Sequence, residues 1–268
     1  MPKIVLVFTA HPDDAEYFAG GTIAKMIKQG AQVTYVITTD GRRGSFQHQT
    51  GILAPIREEE ATRAAYVMGA EPPILLSHPD HELDRLPSGK LREQFCRLIR
   101  QHKPDAIIAQ DPFSLTESHP DHRIVAWAIS DAVHYAYLPL IHPEHLAMGL
   151  EPHFVNEKYF FTESSTASNL IIDISDTIEQ KITALLEHKS QISFLVEGAI
   201  RQTRSSGIDL EKMLGDTGNS PESLFAWFIK NTSAEVGKRK GYKYGEAFRF
   251  ERYSPLVERF LASQAPKK

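Results

Sequence analysis

The first forty residues constrain the fold more than any other part of the chain. Residues 4–8 form a continuous β-prone apolar run, the pattern of a strand that is covered on both faces of a parallel sheet. A helix with one apolar face follows and ends at Gly30, and residues 33–38 form a second apolar run. Two buried strands joined by a helix make a βαβ unit, which predicts a parallel sheet with a right-handed crossover.

The alternation of strands and helices continues along the chain. It predicts helices near 54–69, 88–102 and 120–137 and strands near 73–76, 105–109, 158–162 and 169–173. A long helix over 176–193 and a further helical pair are expected to complete the chain. The pattern indicates an α/β protein with a doubly wound, mostly parallel sheet, helices on both faces and a C-terminal α/β extension.

The length of 268 residues is sufficient for one large α/β domain, and no linker is evident. We interpret 1–268 as a single domain, with a core over 1–138 and an extension over 139–268 that completes the pocket. The polar segment 201–220 is the best candidate for a loop over the site.

Composition argues against several classes of protein. A net charge of −4 gives no broad basic field, so a nucleic-acid partner is not expected. The apolar run over 4–10 is too short for a membrane span, so membrane insertion is not expected either. A single cysteine, Cys96, fits a reducing compartment, and we predict a cytoplasmic protein.

Two histidine-aspartate motifs stand where a predicted strand runs into a helix. The motif His-Pro-Asp-Asp occupies 11–14, and His-Pro-Asp-His occupies 119–122. In open α/β sheets, ligands bind beyond the carboxyl ends of the strands, which is where both motifs fall. The two motifs are therefore expected to form one site.

The residue types in this site are those of a zinc hydrolase. Catalytic zinc typically keeps three imidazole or carboxylate ligands and leaves one position open for water. His11, Asp14 and His122 could supply the ligands, which leaves Asp13 and His119 for proton transfer.

Two alternatives to this interpretation depend on local structure. Asp13 and Asp14 could simply cap the first helix, because a carboxylate at a helix start binds unpaired N–H groups. The motif His-Pro-Asp-His also occurs at 78–81, where it is followed by a probable turn. We take 119–122 as the ligand-bearing copy, while His78 and His81 could either line the pocket or be exposed polar residues.

The chain resembles the LmbE-like, or PIG-L, family of zinc-dependent N-deacetylases in motifs spread over nearly its whole length. The matching segments are 10–16, 20–24, 57–60, 69–70, 79–83, 118–123, 173–175, Lys181, 188–191 and 244–248. The resemblance implies a Rossmann-like fold and hydrolysis of an N-acetyl group from a substrate that contains N-acetylglucosamine. In these enzymes the metal ligands correspond to His11, Asp14 and His122, and the general base corresponds to Asp13.

Further roles are implied by the same resemblance. His119 corresponds to the residue that stabilises the oxyanion or protonates the leaving amine, and Asp121 to the carboxylate that orients and charges it. Arg57 and Asp80 match positions that contact the sugar in some members.

The chain also departs from the family pattern at two positions. His81 replaces a small or flexible residue, and Glu117 stands where some members have a catalytic tyrosine. Both departures bear on substrate identity and leave the metal site intact.

The resemblance further implies one zinc ion per chain, or Fe²⁺ in its place, a small amino-sugar conjugate as substrate, and a homo-oligomer. The predicted products are acetate and a free amine. Two other functions remain open at this point. One is a zinc amidase that cleaves a larger acyl group from a glycoconjugate, and the other is a non-catalytic metal-binding protein on the same fold.

Overall fold

Seven strands form one sheet in the computed structural model, which describes residues 2–162, 168–210, 212 and 220–264. The strands are β1 (Ile4–Thr9), β2 (Gln32–Thr39), β3 (Ile74–His78), β4 (Ala106–Gln110), β5 (Glu157–Phe161), β6 (Leu170–Asp173) and β7 (Gly245–Glu251). The helices are α1 (Asp14–Lys28), α2 (Thr50–Met68), α3 (Lys90–His102), α4 (Pro120–Ala136), α5 (Glu144–Ala147), α6 (Ile178–Leu185), α7 (Lys189–Ser205), α8 (Pro221–Lys238) and α9 (Pro255–Gln264). A short 3₁₀ helix spans Leu83–Arg85.

The strand order is β3-β2-β1-β4-β5-β7-β6. Strand β1 lies in the interior of the sheet, where Val5 is paired with Val33 of β2 on one side and with Ala106 of β4 on the other. All neighbouring strands run parallel except β7, which is antiparallel to both β5 and β6. The predicted α/β class with a mostly parallel sheet is thus confirmed, and the C-terminal half extends the sheet by three strands.

Two apolar cores cover the two faces of the sheet. Val5 and Val7 point into one core together with apolar residues of α1, α2 and α6. Leu6 and Phe8 point into the other core together with residues of α3 and α4. Because both faces of β1 are covered, its sequence is apolar from residue 4 through residue 8 instead of alternating. Among the described residues, no helix is long and apolar enough to cross a membrane.

Strand β7 was not predicted, since we expected a pair of helices in this part of the chain. Phe248 and Phe250 alternate along β7 and pack into the same core as Tyr159 of β5, whereas Arg249 points to the other face and binds Asp111. The period of two is present in the sequence but extends over few residues. The partners of β7 lie far away in the chain, so pairing with them decides its conformation.

The helix predicted over 176–193 is instead two helices, α6 and α7. The chain leaves helical geometry at His188, where φ is −83° and ψ is 57°. Just after this break, the main-chain N–H and the hydroxyl of Ser190 both donate to the buried carboxylate of Glu60 on α2. The break is therefore a tertiary effect. Of the predicted loop over 201–220, residues 201–205 belong to α7, and 211 and 213–219 lie outside the described residues.

The C-terminal strand is tied directly to the first helix. The carboxylate of Glu246 on β7 accepts the main-chain N–H groups of Gly21 (2.9 Å) and Thr22 (2.8 Å), and it also accepts a hydrogen bond from Lys181 (2.7 Å). This close approach requires that α1 has no side chain at the point of contact. A Cβ at Gly21 would lie 2.6 Å from the side chain of Ile174. The glycine pair at 20–21 thus provides close packing.

We expect Gly21→Ala to destabilise the fold by about 1–3 kcal/mol, because the added methyl group overpacks a rigid contact. Denaturant unfolding followed by circular dichroism measures this difference. Gly51→Ala is the matched control, since Gly51 lies in α2 with open space around its Cα. Equal unfolding free energies for the two variants would contradict the packing role of Gly21.

Candidate metal centre and active site

The loops after β1 and β4 bring the two histidine-aspartate motifs together. These strands are parallel neighbours, so their carboxyl ends share one edge of the sheet. His11 Nδ1 lies 3.1 Å from His122 Nε2. The carboxylate of Asp14 lies beside both rings, with Oδ2 3.5 Å from His11 Nδ1 and Oδ1 3.3 Å from His122 Nε2. The structure thus places the three predicted metal ligands in one cluster.

Carboxylates behind the two rings determine which nitrogen of each faces the cluster. His122 Nδ1 is 2.9 Å from Glu117 Oε2, and His11 Nε2 is 3.1 Å from Asp80 Oδ1. An ionised carboxylate can only accept, so each of these ring nitrogens carries the proton. When the rings are neutral, the nitrogens that face each other, His11 Nδ1 and His122 Nε2, therefore present lone pairs. Carboxylates in this position typically orient metal-binding histidines.

Two lone pairs and a carboxylate converging at this distance need a positive charge between them. The separations of 3.1–3.5 Å match the spacing of about 3.3 Å expected between ligands of a tetrahedral ion with bonds of about 2.0–2.1 Å. The electrostatics agree. Burial lowers the pKa of His122, but the carboxylates of Asp14 and Glu117 outweigh it and raise this pKa to about 10. The residues present thus fit a metal cation.

Asp13 adopts a strained backbone beside the three ligands. Its φ is 119°, in a region that residues other than glycine rarely occupy, and such strain is concentrated at functional sites. The side chain accepts a hydrogen bond from Arg57 (3.0 Å). Burial raises the pKa of Asp13, and the nearby charge of Arg57 opposes that rise.

Neither aspartate caps helix α1 through its side chain. Asp13 occupies the N-cap position without a side-chain capping bond. The Oδ2 atom of Asp14 instead accepts the main-chain N–H groups of Ala10 (3.1 Å) and His11 (2.8 Å), which precede the helix. The side chain of Asp14 thus holds the loop before α1 and takes part in the cluster. The structure does not support the alternative that the two aspartates are helix caps.

Arg57 and Asp80, predicted to contact the sugar, are both buried behind the cluster. Arg57 donates to the main-chain carbonyls of Gly41 and Pro12 as well as to Asp13. Asp80 holds His11 and also accepts the main-chain N–H of Arg43 at 3.0 Å. These contacts give both residues a positioning role, and sugar contact by either stays a prediction.

His119 lies at the exposed side of the cluster, and its Nδ1 accepts the main-chain N–H of Asp121 at 3.2 Å, which caps helix α4. We expected the carboxylate of Asp121 to orient this ring. The carboxylate instead accepts the main-chain N–H of His81 (2.7 Å) and lies 3.7 Å from His11 Nε2. Burial, together with the charges of His11 and His122, lowers the pKa of His119 to about 4.

His81, whose location the sequence left open, lies in the site. Its Nε2 is 3.1 Å from His119 Nε2, whereas His78 binds Gln94 at 2.9 Å instead. The importance of Glu117 was missed, because the sequence showed it only as a departure from the family pattern. A carboxylate five residues before a ligand histidine was the available signal, and only the fold shows that it reaches the ring.

Two imidazoles and a carboxylate around a cation position, with a second carboxylate beside them, are the arrangement of a metal-dependent hydrolase. Residues 6–133 match the model of the PIG-L family, described as GlcNAc-PI de-N-acetylase. A diacetylchitobiose deacetylase of Thermococcus kodakarensis is 30% identical over 253 residues, which is 92% of this chain and 83% of that protein. The chain therefore belongs to the PIG-L family of deacetylases and is an enzyme.

Two further comparisons agree with this assignment. A probable N-acetyl-α-D-glucosaminyl L-malate deacetylase 2 of Bacillus cereus is 30% identical over 205 residues, covering 74% of this chain and 87% of that protein. The structure of N,N'-diacetylchitobiose deacetylase from Pyrococcus horikoshii superposes with a TM-score of 0.77 at 29% identity, covering 94% of this chain and 84% of that one. The match in structure extends through the C-terminal half.

We expect Glu117→Ala to weaken binding of Zn²⁺ by about 10–100-fold, because the carboxylate that orients His122 is lost. Competition with a chromophoric chelator measures this affinity without any assay of turnover. Glu117→Gln, which keeps an acceptor oxygen, should lose less, and Glu58→Ala on the exposed face of α2 should lose nothing. Unchanged affinity in Glu117→Ala would show that His122 does not depend on this contact.

Proposed function

We propose that the protein removes the N-acetyl group from a small molecule that contains N-acetylglucosamine, releasing acetate and a free amine. In this proposal one zinc ion is held by His11, Asp14 and His122. The observation that supports it best is the cluster of His11, His122 and Asp14, with the Arg57-bound carboxylate of Asp13 beside it. The named activities of the relatives support the choice of substrate class.

The donor set suits zinc, because two imidazole nitrogens and one carboxylate oxygen leave a fourth position open. The same donors also suit Fe²⁺. A zinc ion held there would polarise the amide carbonyl and make a water nucleophile available near neutral pH.

Asp13 is proposed as the general base. It lies next to Asp14 in sequence, and its strained backbone and the hydrogen bond from Arg57 fix the carboxylate in place. Burial favours its protonated form more than water would, so it is suited to receive a proton as water attacks the amide carbonyl. The same carboxyl group can then pass the proton to the leaving nitrogen, which becomes the free amine.

His119 is proposed to stabilise the oxyanion. Because its Nδ1 accepts a main-chain N–H, a neutral ring must carry its proton on Nε2. A neutral imidazole in this tautomer is a hydrogen-bond donor toward developing negative charge. Loss of that proton would leave an imidazolate, so the tautomer favours oxyanion stabilisation over protonation of the amine. Asp121 would act on this ring through its main-chain N–H.

Two broader properties are proposed. The single cysteine favours a cytoplasmic location, and the family resemblance favours a homo-oligomeric state. Leu256 and Phe260 on α9 are largely exposed apolar side chains that could take part in subunit contact. Sedimentation velocity tests the oligomeric state, and a monomer at micromolar concentration would contradict that part of the proposal.

Asp13→Asn should lower the release of acetate from N-acetylglucosamine and its oligomers by about 10²–10⁴-fold and retain bound zinc, because it removes the base and none of the ligands. Asp14→Asn should lose zinc itself. Acetate is measured enzymatically, and metal content by atomic emission.

A panel of longer N-acyl groups is the control for the competing amidase activity. Wild-type turnover in Asp13→Asn would refute the base assignment. Absence of acetate release by the zinc-loaded protein from every substrate would refute the deacetylase proposal.

A further inference from the structure

A short turn after strand β2 lies between the candidate site and the C-terminal half of the chain. It spans residues 41–44, with the sequence Gly-Arg-Arg-Gly, and the main-chain N–H of Gly44 donates to the carbonyl of Gly41 (3.3 Å). Strand β2 is a parallel neighbour of β1, so this turn lies at the same edge of the sheet as His11. We refer to residues 41–44 as the glycine turn.

The first residue of the glycine turn binds the arginine that holds the proposed base. The carbonyl of Gly41 accepts a hydrogen bond from the guanidinium of Arg57 (3.0 Å), and the same guanidinium donates to the carboxylate of Asp13 (3.0 Å). A Cβ at Gly41 would overlap the guanidinium, and its φ of 60° also favours glycine. A displaced turn would therefore move Arg57 and, with it, the carboxylate of Asp13.

The middle of the glycine turn binds the carboxylate that orients His11. The main-chain N–H of Arg43 donates to Asp80 Oδ2 (3.0 Å), while the other oxygen of this carboxylate lies 3.1 Å from His11 Nε2. Because a main-chain N–H makes the contact, its direction depends on the backbone conformation of the turn. One turn thus contacts the residue that holds the base and the residue that orients a metal ligand.

The last residue of the glycine turn is held by Gln191, in the first turn of α7. The side-chain Nε2 of Gln191 donates to the carbonyl of Gly44 (3.1 Å) and to the hydroxyl of Ser190 (3.2 Å). The same hydroxyl donates to the buried carboxylate of Glu60 (2.6 Å), which fixes Ser190 beside the amide. Gln191 is itself buried, and a Cβ at Gly44 would lie 2.8 Å from its Oε1. The amide therefore packs directly against the turn.

We propose that Gln191 is a positioning residue for the reaction, because its side-chain amide fixes the glycine turn. Through the first residue of the turn, this amide keeps Arg57 aligned with Asp13. Through the middle of the turn, it keeps Asp80 aligned with His11. The proposal rests on the proposed function for the roles of Asp13 and His11. A shift of about 1 Å in a positioned group can cost about 100-fold in rate, so a small movement of the turn is sufficient.

Gln191→Ala tests the proposal, with Gln180→Ala as the matched control. The Nε2 of Gln180 donates to the main-chain carbonyl of Met68 (3.1 Å), at the C-terminal end of α2, so each variant loses a glutamine that binds a main-chain carbonyl. Both variants should shift the midpoint of denaturant unfolding by similar amounts. Only Gln191→Ala should lower kcat for acetate release, by about tenfold with little change in KM. Gln191→Glu, which keeps the shape but loses the donor, should lower kcat as much.

Gly44→Ala disturbs the same contact from the other side. Its Cβ would lie 2.8 Å from Gln191 Oε1 and 3.0 Å from Arg57 Nη1, so the methyl group displaces the ends of two long side chains. The variant should fold and lower kcat as Gln191→Ala does. Gly51→Ala, with open space around its Cα, should leave kcat unchanged.

Zinc affinity gives a readout that requires no turnover. Because Asp80 orients His11, Gln191→Ala should weaken Zn²⁺ binding by about threefold, less than the loss of about tenfold or more expected when an orienting carboxylate is removed. Competition with a chromophoric chelator measures this affinity. In an Asp80→Ala background, Gln191→Ala should have no further effect, because the connection to His11 is already broken. If the zinc-loaded protein releases no acetate from any substrate, the proposed function fails, and this cycle still tests the positioning role.

Three results would overturn the assignment of Gln191. The first is an equal kcat in Gln191→Ala and Gln180→Ala, and the second is a wild-type kcat in Gln191→Glu. The third is a loss of zinc affinity on Gln191→Ala that is the same with and without the Asp80 carboxylate.

Discussion

The cluster of two imidazole lone pairs and a carboxylate needs a positive charge between its members, and the surrounding fold has to hold them together. His11 lies in the loop after β1 and His122 lies in the first turn of α4, and each ring contacts its own carboxylate. The two lone pairs and the carboxylate repel one another unless a proton or a metal ion lies between them. The energy needed to hold it has to come from the surrounding fold, and the parallel strands β1 and β4, buried on both faces, supply a rigid frame.

The central part of the fold could be predicted from the sequence because its signals are local. A continuous apolar run such as residues 4–8 of β1 strongly favours a strand that is buried on both faces. Strand β7 and the break at His188 were predicted wrongly for the opposite reason. Their conformations depend on partners more than fifty residues away, such as Glu60 for Ser190, and no local pattern encodes a contact at that distance.

The candidate site, like the fold, could be predicted from the sequence only in part. The types of its residues and their place at strand ends follow from two short motifs, so the cluster of His11, Asp14 and His122 could be predicted. The sequence does not specify which nitrogen of each ring faces inward, because that depends on Glu117 and Asp80 across the fold. Two identical His-Pro-Asp-His motifs also could not be ranked by composition. In the structure both contribute to the site, one through His122 and the other through Asp80 and His81.

The hydrogen bonds between Glu246 and the main chain of α1 limit how the protein can be divided into fragments that fold. The part of the chain that matches the family model ends at residue 133, and it includes His11, Asp14 and His122. Yet the middle of the helix that begins at Asp14 depends on a carboxylate from the last strand for two of its hydrogen bonds. The first half of the chain is therefore not an independent module: a fragment without β7 would leave the main-chain N–H groups of Gly21 and Thr22 and the ammonium of Lys181 without their carboxylate partner. Recombination between relatives would have to exchange the first helix and the final strand together.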